Sequence, residues 1–288
     1  MRVPKPFHIS RISRRFWKVW RRNLVVYRRI WKVNFLPPIL EPLFYLLAFG
    51  VGLGSFIQSI DYRGETVSYV AFIAPSLLSI NMMYNAFFEN TYASFVRMYY
   101  QKTFDAMLAT PLSLEEVITG EIMWGATKSL IATALMLAVV AAFDLVSWPG
   151  GLLILPVAFV GGLAFGALGM IFTGVLSSID LFNLPIFLLI TPMFLFSGTF
   201  FPVESLPSWA QSLTVVLPLT HLVNLSRGLC LGSLTRAECW SAVYLVGLAA
   251  AAFPIALLVM RRRLIPVSYT HLRAHETPEH LVCRLLLE

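Results

Sequence analysis

Apolar runs of about 20 residues recur along the chain, separated by short charged or proline-rich connections. The hydrocarbon core of a bilayer is about 30 Å thick, so a helix needs about 20 apolar residues to cross it. The pattern predicts an all-α polytopic membrane protein, with six transmembrane helices in a domain of residues 36–265. The predicted spans are residues 36–57, 67–88, 128–146, 152–176, 184–201 and 240–260.

The stretch before the first span, residues 11–32, has a different pattern. Its apolar residues recur with a period of about 3.6, and arginine and lysine occupy much of the remaining surface. This predicts a basic amphipathic helix on the anionic cytoplasmic leaflet, within a cytoplasmic N-terminus of residues 1–35, and makes membrane lipids a partner. A basic run can also indicate nucleic-acid binding. Because a hydrophobic span follows immediately, we expect no nucleic-acid partner.

Prolines interrupt the fifth predicted span and the segment after it. Pro185 and Pro192 predict a kinked or broken helix, which neighbouring helices tolerate in a membrane. Residues 202–238 are too interrupted for a clean span and predict an outer re-entrant segment of short helices between spans five and six. For His221 we prefer the role of an ordinary hydrogen-bonded residue at the membrane interface to a catalytic role. The residues singled out in this region are Gly198, Pro202, Pro207, Pro218 and His221.

Composition supports a membrane protein and excludes other classes. Hydrophobic residues make up 58% of the 288 residues, charged residues only 13%, and the mean hydropathy is +0.74. Average soluble domains carry about 25% charged residues. Three cysteines in a chain of this length cannot form a disulfide framework. The chain is therefore neither an ordinary soluble protein nor a disulfide-stapled scaffold.

The tail after Pro266 departs from this pattern. Residues 267–277 read VSYTHLRAHET and resemble translated sequencing-adapter DNA, so we expect residues 266–288 to be non-native. A short native cytoplasmic tail is the alternative. The histidines and the cysteine of this tail then do not indicate a metal site, and we expect none elsewhere in the chain. They are His271, His275, His280 and Cys283.

Positive charge is distributed unevenly between the two sides of the predicted bundle. If both termini lie inside, the cytoplasmic side collects the basic residues from Arg2 to Lys32 together with Arg97, Lys102, Lys128 and residues 261–263. The outer side then collects only Arg63, Arg227 and Arg236. Connections rich in lysine and arginine remain cytoplasmic. The sequence therefore predicts a multi-pass inner-membrane protein with a cytoplasmic N-terminus and a cytoplasmic C-terminus.

No constellation for catalysis or nucleotide binding emerges from the sequence. Residues 120–129, GEIMWGATKS, hold two glycines at the spacing of a phosphate loop, but Ala126 and Thr127 separate them from Lys128 and Ser129. A phosphate loop needs these residue types in direct succession, since the backbone amides and the lysine converge on one phosphate. We therefore expect no cofactor in this chain.

The connection between spans two and three, residues 97–127, is more informative. Phe104, Met107 and Leu108 share one helical face, and Pro111 ends that helix. Ser113 and Glu116 then form a capping box that begins another short helix. Two short helices level with the membrane would present a rigid surface to a soluble partner. The alternative is a plain solvated loop, which would have no need of an apolar face.

Three polar residues, Asn81, Asn85 and Glu89, recur at every fourth position of span two. Polar side chains are costly in lipid and normally face a bundle interior or an aqueous path. Two interpretations stay open: part of a translocation path, or hydrogen bonds between helices that contribute about 1 kcal/mol each. Glycine pairs with a spacing that permits close helix approach are Gly50/Gly54 and Gly162/Gly166.

Taken in order, the basic entry helix, the six spans, the loop after span two and the outer proline-rich segment resemble the ABC-2 type permeases. These are membrane subunits of ATP-binding-cassette exporters. The most specific strings are RMYYQKTFDAMLATPLSLEEVITGEIMW at residues 97–124 and ITPMFLFSGTFFPVESLPSWAQSLTVVLPLTHLVNLSRGL at residues 190–229. Within the family they look most like the NodJ-type permeases, which export lipo-chitooligosaccharides.

The resemblance implies outward export of an amphiphile (a lipooligosaccharide, polysaccharide, lipid or drug) across a bacterial inner membrane. It implies a cytoplasmic ABC ATPase partner that carries ATP and Mg²⁺, and a second permease subunit, with a homodimer preferred over a heterodimer. It also implies that the loop after span two docks in a groove of the ATPase. The residues assigned to this coupling loop are Phe104, Asp105, Ala106, Met107, Leu108, Thr110 and Pro111.

Two other classes of function remain as alternatives. An integral-membrane enzyme acting on lipid-linked sugars would need an acid or base, and Glu89, Asp61 and Glu204 are the candidates. The sequence indicates no second acidic or histidine partner close to any of them. A channel or scaffold would explain the spans but would leave the coupling loop without a role.

Overall fold

A computed structural model of the chain describes residues 12–52, 57 and 59–285, with the side chains of residues 42, 50, 51 and 265–285 outside the description. Gly54 and the side chains of the predicted non-native tail therefore lie outside the described residues. The helices are α1 (Phe16–Arg29), α2 (Trp31–Leu47), α3 (Tyr69–Phe88), α4 (Thr103–Leu108), α5 (Leu114–Ala142), α6 (Gly150–Val175), α7 (Asn183–Pro185), α8 (Thr191–Phe196), α9 (Ser208–Thr214), α10 (Pro218–Leu231) and α11 (Arg236–Leu285). The strands are β1 (Ser59–Tyr62) and β2 (Glu65–Ser68).

Four helices in the described residues are long and apolar enough to cross a membrane. They are Tyr69–Tyr100, Leu114–Ala142, Gly150–Val175 and Arg236–Leu264. The pair α9 and α10 adds a fifth if the two helices, which are bent by 82°, form one broken span. A mainly helical, multi-span membrane protein is thus confirmed, whereas the count of six spans stays a prediction.

The other two predicted spans are less regular. The first corresponds to α2 and a π-helical turn, Ala48–Gly52, after which residues 53–56 lie outside the described part. The fifth is a short apolar stretch, Asp180–Phe196, in which α7 ends at Pro185 and α8 has Pro192 in its first turn. A π-helical turn, Ile186–Ile190, joins α7 to α8, so the stretch is continuous but irregular. Proline lacks an N–H and cannot take part in the regular helical ladder, which accounts for the irregularity.

A small antiparallel sheet lies in the connection between the first two predicted spans, where the all-α prediction included no strand. Strands β1 and β2 pair from Ser59 opposite Ser68 to Tyr62 opposite Glu65. The two residues between the strands, Arg63 and Gly64, both have positive φ, at 55° and 82°, as a two-residue hairpin turn requires. The predicted start of span two, residue 67, lies two residues before the observed one. The helix begins at Tyr69, where the Ser68 side chain accepts a hydrogen bond from the Ala71 amide.

The third span begins 14 residues earlier than predicted. The capping box of Ser113 and Glu116 is confirmed, but α5 runs without a break from Leu114 to Ala142. The second short helix of the coupling loop is thus the first part of a span, and the connection itself is confined to about residues 101–113. The predicted range of 97–127 was too long, since Glu121 within it belongs to α5 and is buried and paired inside the protein.

Glycines on α5 and α6 let neighbouring helices approach closely. A Cβ on Gly162 of α6 would lie 2.8 Å from the Ala126 Cα of α5, and one on Gly166 would lie 2.9 Å from the Asn90 Nδ2. On α5, a Cβ on Gly120 would lie 2.6 Å from the Val19 Cβ of α1. Gly120, which resembled part of a phosphate loop, thus allows α1 to pack directly on α5.

Candidate functional site

The short helix α4 is anchored to the bundle by Phe104. This side chain has no exposed surface and packs in a cluster of buried apolar residues that includes Val19, Phe95, Val117 and Ile118. A side chain enclosed in this way cannot enter the groove of another protein. The assignment of Phe104 to the docking surface is therefore wrong: Phe104 holds α4 in place.

The opposite face of α4 and the turn after it are open. Asp105, Ala106, Thr110 and Pro111 are exposed, whereas Met107 and Leu108 are half-buried against the same apolar cluster. The predicted shared face of Phe104, Met107 and Leu108 is real, but it points toward the bundle. A helix that packs on its own bundle through one face leaves the other face free for a partner.

The segment preceding α1 holds the coupling loop from the side. The Arg15 Nη1 donates a hydrogen bond to the Pro111 carbonyl at 2.9 Å, and the Ser13 hydroxyl donates one to the Glu116 carboxylate. Glu116 in turn accepts from the Ser113 amide at 2.8 Å. Movement of α4 is therefore linked mechanically to the N-terminal helix and to the start of α5.

Glu89, at the end of α3, lies in a buried network of charges. Its carboxylate accepts from the Arg97 Nη1 and from the Lys128 Nζ, both at 2.8 Å, and from the Trp124 Nε1 at 3.1 Å. Lys128 and Trp124 belong to α5, so Glu89 connects two spans. The network neutralises a carboxylate that would be costly to bury alone.

A second carboxylate, Glu121 of α5, binds the same arginine. The Arg97 Nη2 lies 2.5 Å from the Glu121 Oε2, which also accepts from the Ser94 hydroxyl at 2.9 Å. The other oxygen accepts from the Asn23 Nδ2 of α1, also at 2.9 Å. The expectation that Glu89 has no second acidic residue near it is thus wrong. The error arose because Glu121 and Glu89 are distant in sequence and only the fold brings both to Arg97.

Next to this network lies a cavity of about 560 Å³ between α1, the end of α3 and α5. Burial raises the pKa of the Tyr27 phenol in its wall, and the charge of Glu89 adds to the effect. Burial also lowers the pKa of Arg22, against the influence of Glu121. The main polar and aromatic residues of the wall are Arg22, Tyr27, Glu89, Arg97, Trp124 and Lys128.

The three polar residues predicted on span two, Asn81, Asn85 and Glu89, do not form one connected group. The Asn85 Nδ2 donates to the Asn81 carbonyl at 3.0 Å and to its Oδ1 at 3.2 Å, so these two side chains bond within one helix. Asn81 is buried and Asn85 half-buried, whereas Glu89 is engaged in the charge network. For Glu89 the geometry matches the interhelix alternative. A place of Asn81 and Asn85 in a translocation path stays a prediction.

At the other end of the bundle, Arg227 of α10 is buried without a carboxylate in contact among the described residues. Its Nη2 donates to the Ser76 hydroxyl at 2.6 Å and to the Gly198 carbonyl at 2.8 Å, and its Nε donates to the Phe72 carbonyl at 3.2 Å. The guanidinium carbon lies 3.8 Å from the centre of the Phe72 ring. The sequence pattern had counted Arg227 only as an outer charge, since its partners lie about 30 or more residues away.

His221 lies in the first turns of the same helix. Its Nε2 lies 2.9 Å from the Val215 carbonyl and its Nδ1 lies 3.2 Å from the Ser241 hydroxyl. Its ring stacks on Tyr244 with centroids 3.9 Å apart. These contacts agree with an ordinary hydrogen-bonded histidine.

The remaining marker residues of the outer segment lie at turns. Pro207 precedes α9, Pro218 is the first residue of α10, and Pro202 precedes a short 3₁₀ turn, Val203–Ser205. Gly198 has φ of +71°, a conformation that side chains rarely adopt, and its carbonyl binds the buried arginine. The prolines therefore lie at the starts of the short helices in this segment and separate them from one another.

Within the described residues, the other two candidate acids, Asp61 and Glu204, take part in no network of charges like that of Glu89. Asp61 of β1 accepts from the Thr66 hydroxyl across the hairpin at 3.2 Å, and Glu204 is exposed. Within the described residues, no group of three or more histidine, cysteine, aspartate or glutamate side chains could hold a metal ion.

Comparison with known proteins gives consistent relatives. The sequence profile described as ABC-2 type transporter matches residues 14–231. Nodulation protein J of Rhizobium leguminosarum bv. trifolii is 38% identical over 247 residues, which cover 86% of this chain and 93% of that protein. Nodulation protein J of Rhizobium meliloti (strain 1021) is 35% identical, with the same coverage. Inner membrane transport permease YadH of Escherichia coli (strain K12) is 27% identical over 209 residues, which cover 72% of this chain and 78% of that protein.

Proposed function

The chain belongs to the ABC-2 type transporter family and is the membrane permease subunit of an ABC exporter with an ATPase partner, and we propose that this ATPase docks on the exposed face of α4. Such a subunit is a multi-pass inner-membrane transporter component and not an enzyme. ATP and Mg²⁺ then bind the partner chain. Both termini and α4 face the cytoplasm.

The observation that carries the docking proposal is the two-sided environment of α4. Phe104 fixes the helix to the bundle, while Asp105, Ala106 and Thr110 remain open to a partner. Because Arg15 and Glu116 tie the loop to α1 and α5, a push on α4 reaches both the N-terminal helix and a span. Closure of the ATPase would in this way move spans without any covalent chemistry in the permease.

The substrate we propose is an amphiphile of the lipooligosaccharide type, exported outward between two copies of this chain. The similarity to proteins named Nodulation protein J, which extends over most of both chains, supports this class. Asn81 and Asn85 are the polar residues proposed for the path. A homodimer is proposed over a heterodimer.

The docking proposal is tested by a substitution on the open face of α4. Ala106→Arg places a long charged side chain there without removing an anchor, so we expect loss of ATPase co-purification with the tagged permease and loss of permease-dependent ATPase activity. Arg262→Ala, an exposed residue at the same end of the bundle, is the matched control. Both variants are checked for membrane insertion.

Unchanged ATPase recovery with Ala106→Arg, or an equal loss with the control, would count against docking at α4. The substrate proposal is tested separately, by transport of a lipooligosaccharide into vesicles that hold the intact complex. Failure there, with ATPase binding retained, would reject the substrate class and leave the docking surface standing.

A further inference from the structure

The cavity next to the charge network contains more cationic donors than its carboxylates use. Among the described residues, the Arg22 side chain makes one hydrogen bond, from its Nη1 to the Asn23 Oδ1 at 2.9 Å. The Lys128 Nζ makes one, to Glu89 at 2.8 Å. A guanidinium has five N–H donors and an ammonium has three. Both side chains line the cavity, so their remaining donors are available to a ligand inside it.

The charges around the cavity do not balance. Arg22, Arg97 and Lys128 line it as cations, while Glu89 and Glu121 are the carboxylates of the network. One positive charge is therefore in excess. Within the described residues Arg22 forms no ion pair, and its one hydrogen bond goes to the neutral amide of Asn23. Such a cavity favours an anion small enough to enter about 560 Å³.

The rim of the cavity is apolar on the side of α1. Val26 and Ile30 line the cavity and are 47% and 51% exposed. Trp17 and Trp31 of the same helix region are also about half exposed, at 52% and 50%. Tryptophan favours the headgroup layer of a membrane, and a basic amphipathic helix buries its apolar face at that layer. The cavity thus has cationic donors within and lipid-facing side chains at its edge.

We propose that this cavity binds the anionic headgroup of an inner-leaflet phospholipid, with the acyl chains passing over Val26 and Ile30. The phosphate accepts hydrogen bonds from the free donors of Arg22 and Lys128. Basic pockets between membrane helices on the cytoplasmic side suit such headgroups. The inference goes beyond export, because the lipid occupies a site within one subunit.

The experiment is native mass spectrometry of the full chain in mild detergent, with phosphatidylglycerol or phosphatidylcholine added at equal concentration. We expect the wild-type chain to retain one phosphatidylglycerol in preference to phosphatidylcholine. Arg22→Gln, which breaks no ion pair, should weaken that retention roughly fivefold. Lys128→Gln is a second variant with the same expected direction. Arg28→Gln removes an equal charge from an exposed position of α1 and should retain the lipid.

Each other outcome overturns the proposal. Equal retention of both lipids would show that the cavity does not select an anionic headgroup. An equal loss in Arg28→Gln would assign binding to diffuse attraction by α1. Displacement of the lipid by inorganic phosphate at the same concentration would make the ligand a soluble anion. Because no ATPase or transport is measured, failure here leaves the export proposal untouched.

Discussion

The two ends of the bundle each bury an arginine, but they satisfy it in different ways. Arg97 lies between two carboxylates, Glu89 and Glu121, whereas the partners of Arg227 in the part of the chain that the structure describes are carbonyls, a hydroxyl and aromatic rings. The first arrangement is an ion network, in which removing one charge leaves others unpaired. The second holds one charge with neutral groups, and its removal leaves dipoles that can find water or each other. The same residue type should thus have different importance at the two ends.

Removal of Arg97, the cation between the two carboxylates, should lower the free energy of unfolding most. Among the described residues, Arg97→Met leaves Glu89 paired with Lys128 alone and leaves Glu121 without an ion pair. We therefore expect a loss of about 3–5 kcal/mol in the free energy of unfolding. Denaturant unfolding of the purified chain in mixed micelles measures it. Arg97→Lys, which keeps the charge, serves as the control and should lose less. Wild-type stability in Arg97→Met would mean that the network contributes nothing.

Removal of Arg227 should lower the free energy of unfolding by a smaller amount. Arg227→Met keeps the length of the side chain and leaves only neutral partners, so we expect a loss of about 1–3 kcal/mol in the same measurement. We also expect faster proteolysis near Gly198, since the turn loses the donor to its carbonyl. A loss larger than that of Arg97→Met would invert the comparison between the two ends.

The smallest effect is expected at the exposed margin of the outer end. The Tyr244 hydroxyl donates to the Val216 carbonyl at 2.7 Å in an exposed position, and water can replace it. Tyr244→Phe should therefore cost less than about 1 kcal/mol. The loss in Tyr244→Phe is the reference value with which the losses in the two arginine variants are compared. A loss equal to that of Arg227→Met would show that burial does not make the Arg227 contacts more important than the Tyr244 hydrogen bond.

Local signals in the sequence predicted local features well. The capping box at Ser113 and Glu116 appears as expected, and the helix around Pro185 is irregular, as its prolines predict. Both features involve residues within a few positions of each other. Hydropathy likewise located the apolar parts of four spans. These features depend on a helix and its own residues, so no tertiary information is needed.

Features that depend on distant partners were not accessible in the same way. The start of α5 was misplaced because Glu121 pairs with Arg97, 24 residues away. The apolar face of α4 was recognised, but only the packing of Phe104 on Val19 and Val117 shows which way it points. A pattern gives the residues on a face and does not give its direction.

The contact between α1 and α5 also bears on the order in which the protein is made. Asn23 and its partner Glu121 are 98 residues apart, and Val19 packs on Gly120. At synthesis rates of about 5–20 residues per second, α1 leaves the ribosome roughly 5–20 seconds before the helix that receives it. During that interval its basic face can bind the anionic surface of the membrane. Helix α1 is therefore synthesised before α5, but it reaches its final place only after α5 has been made.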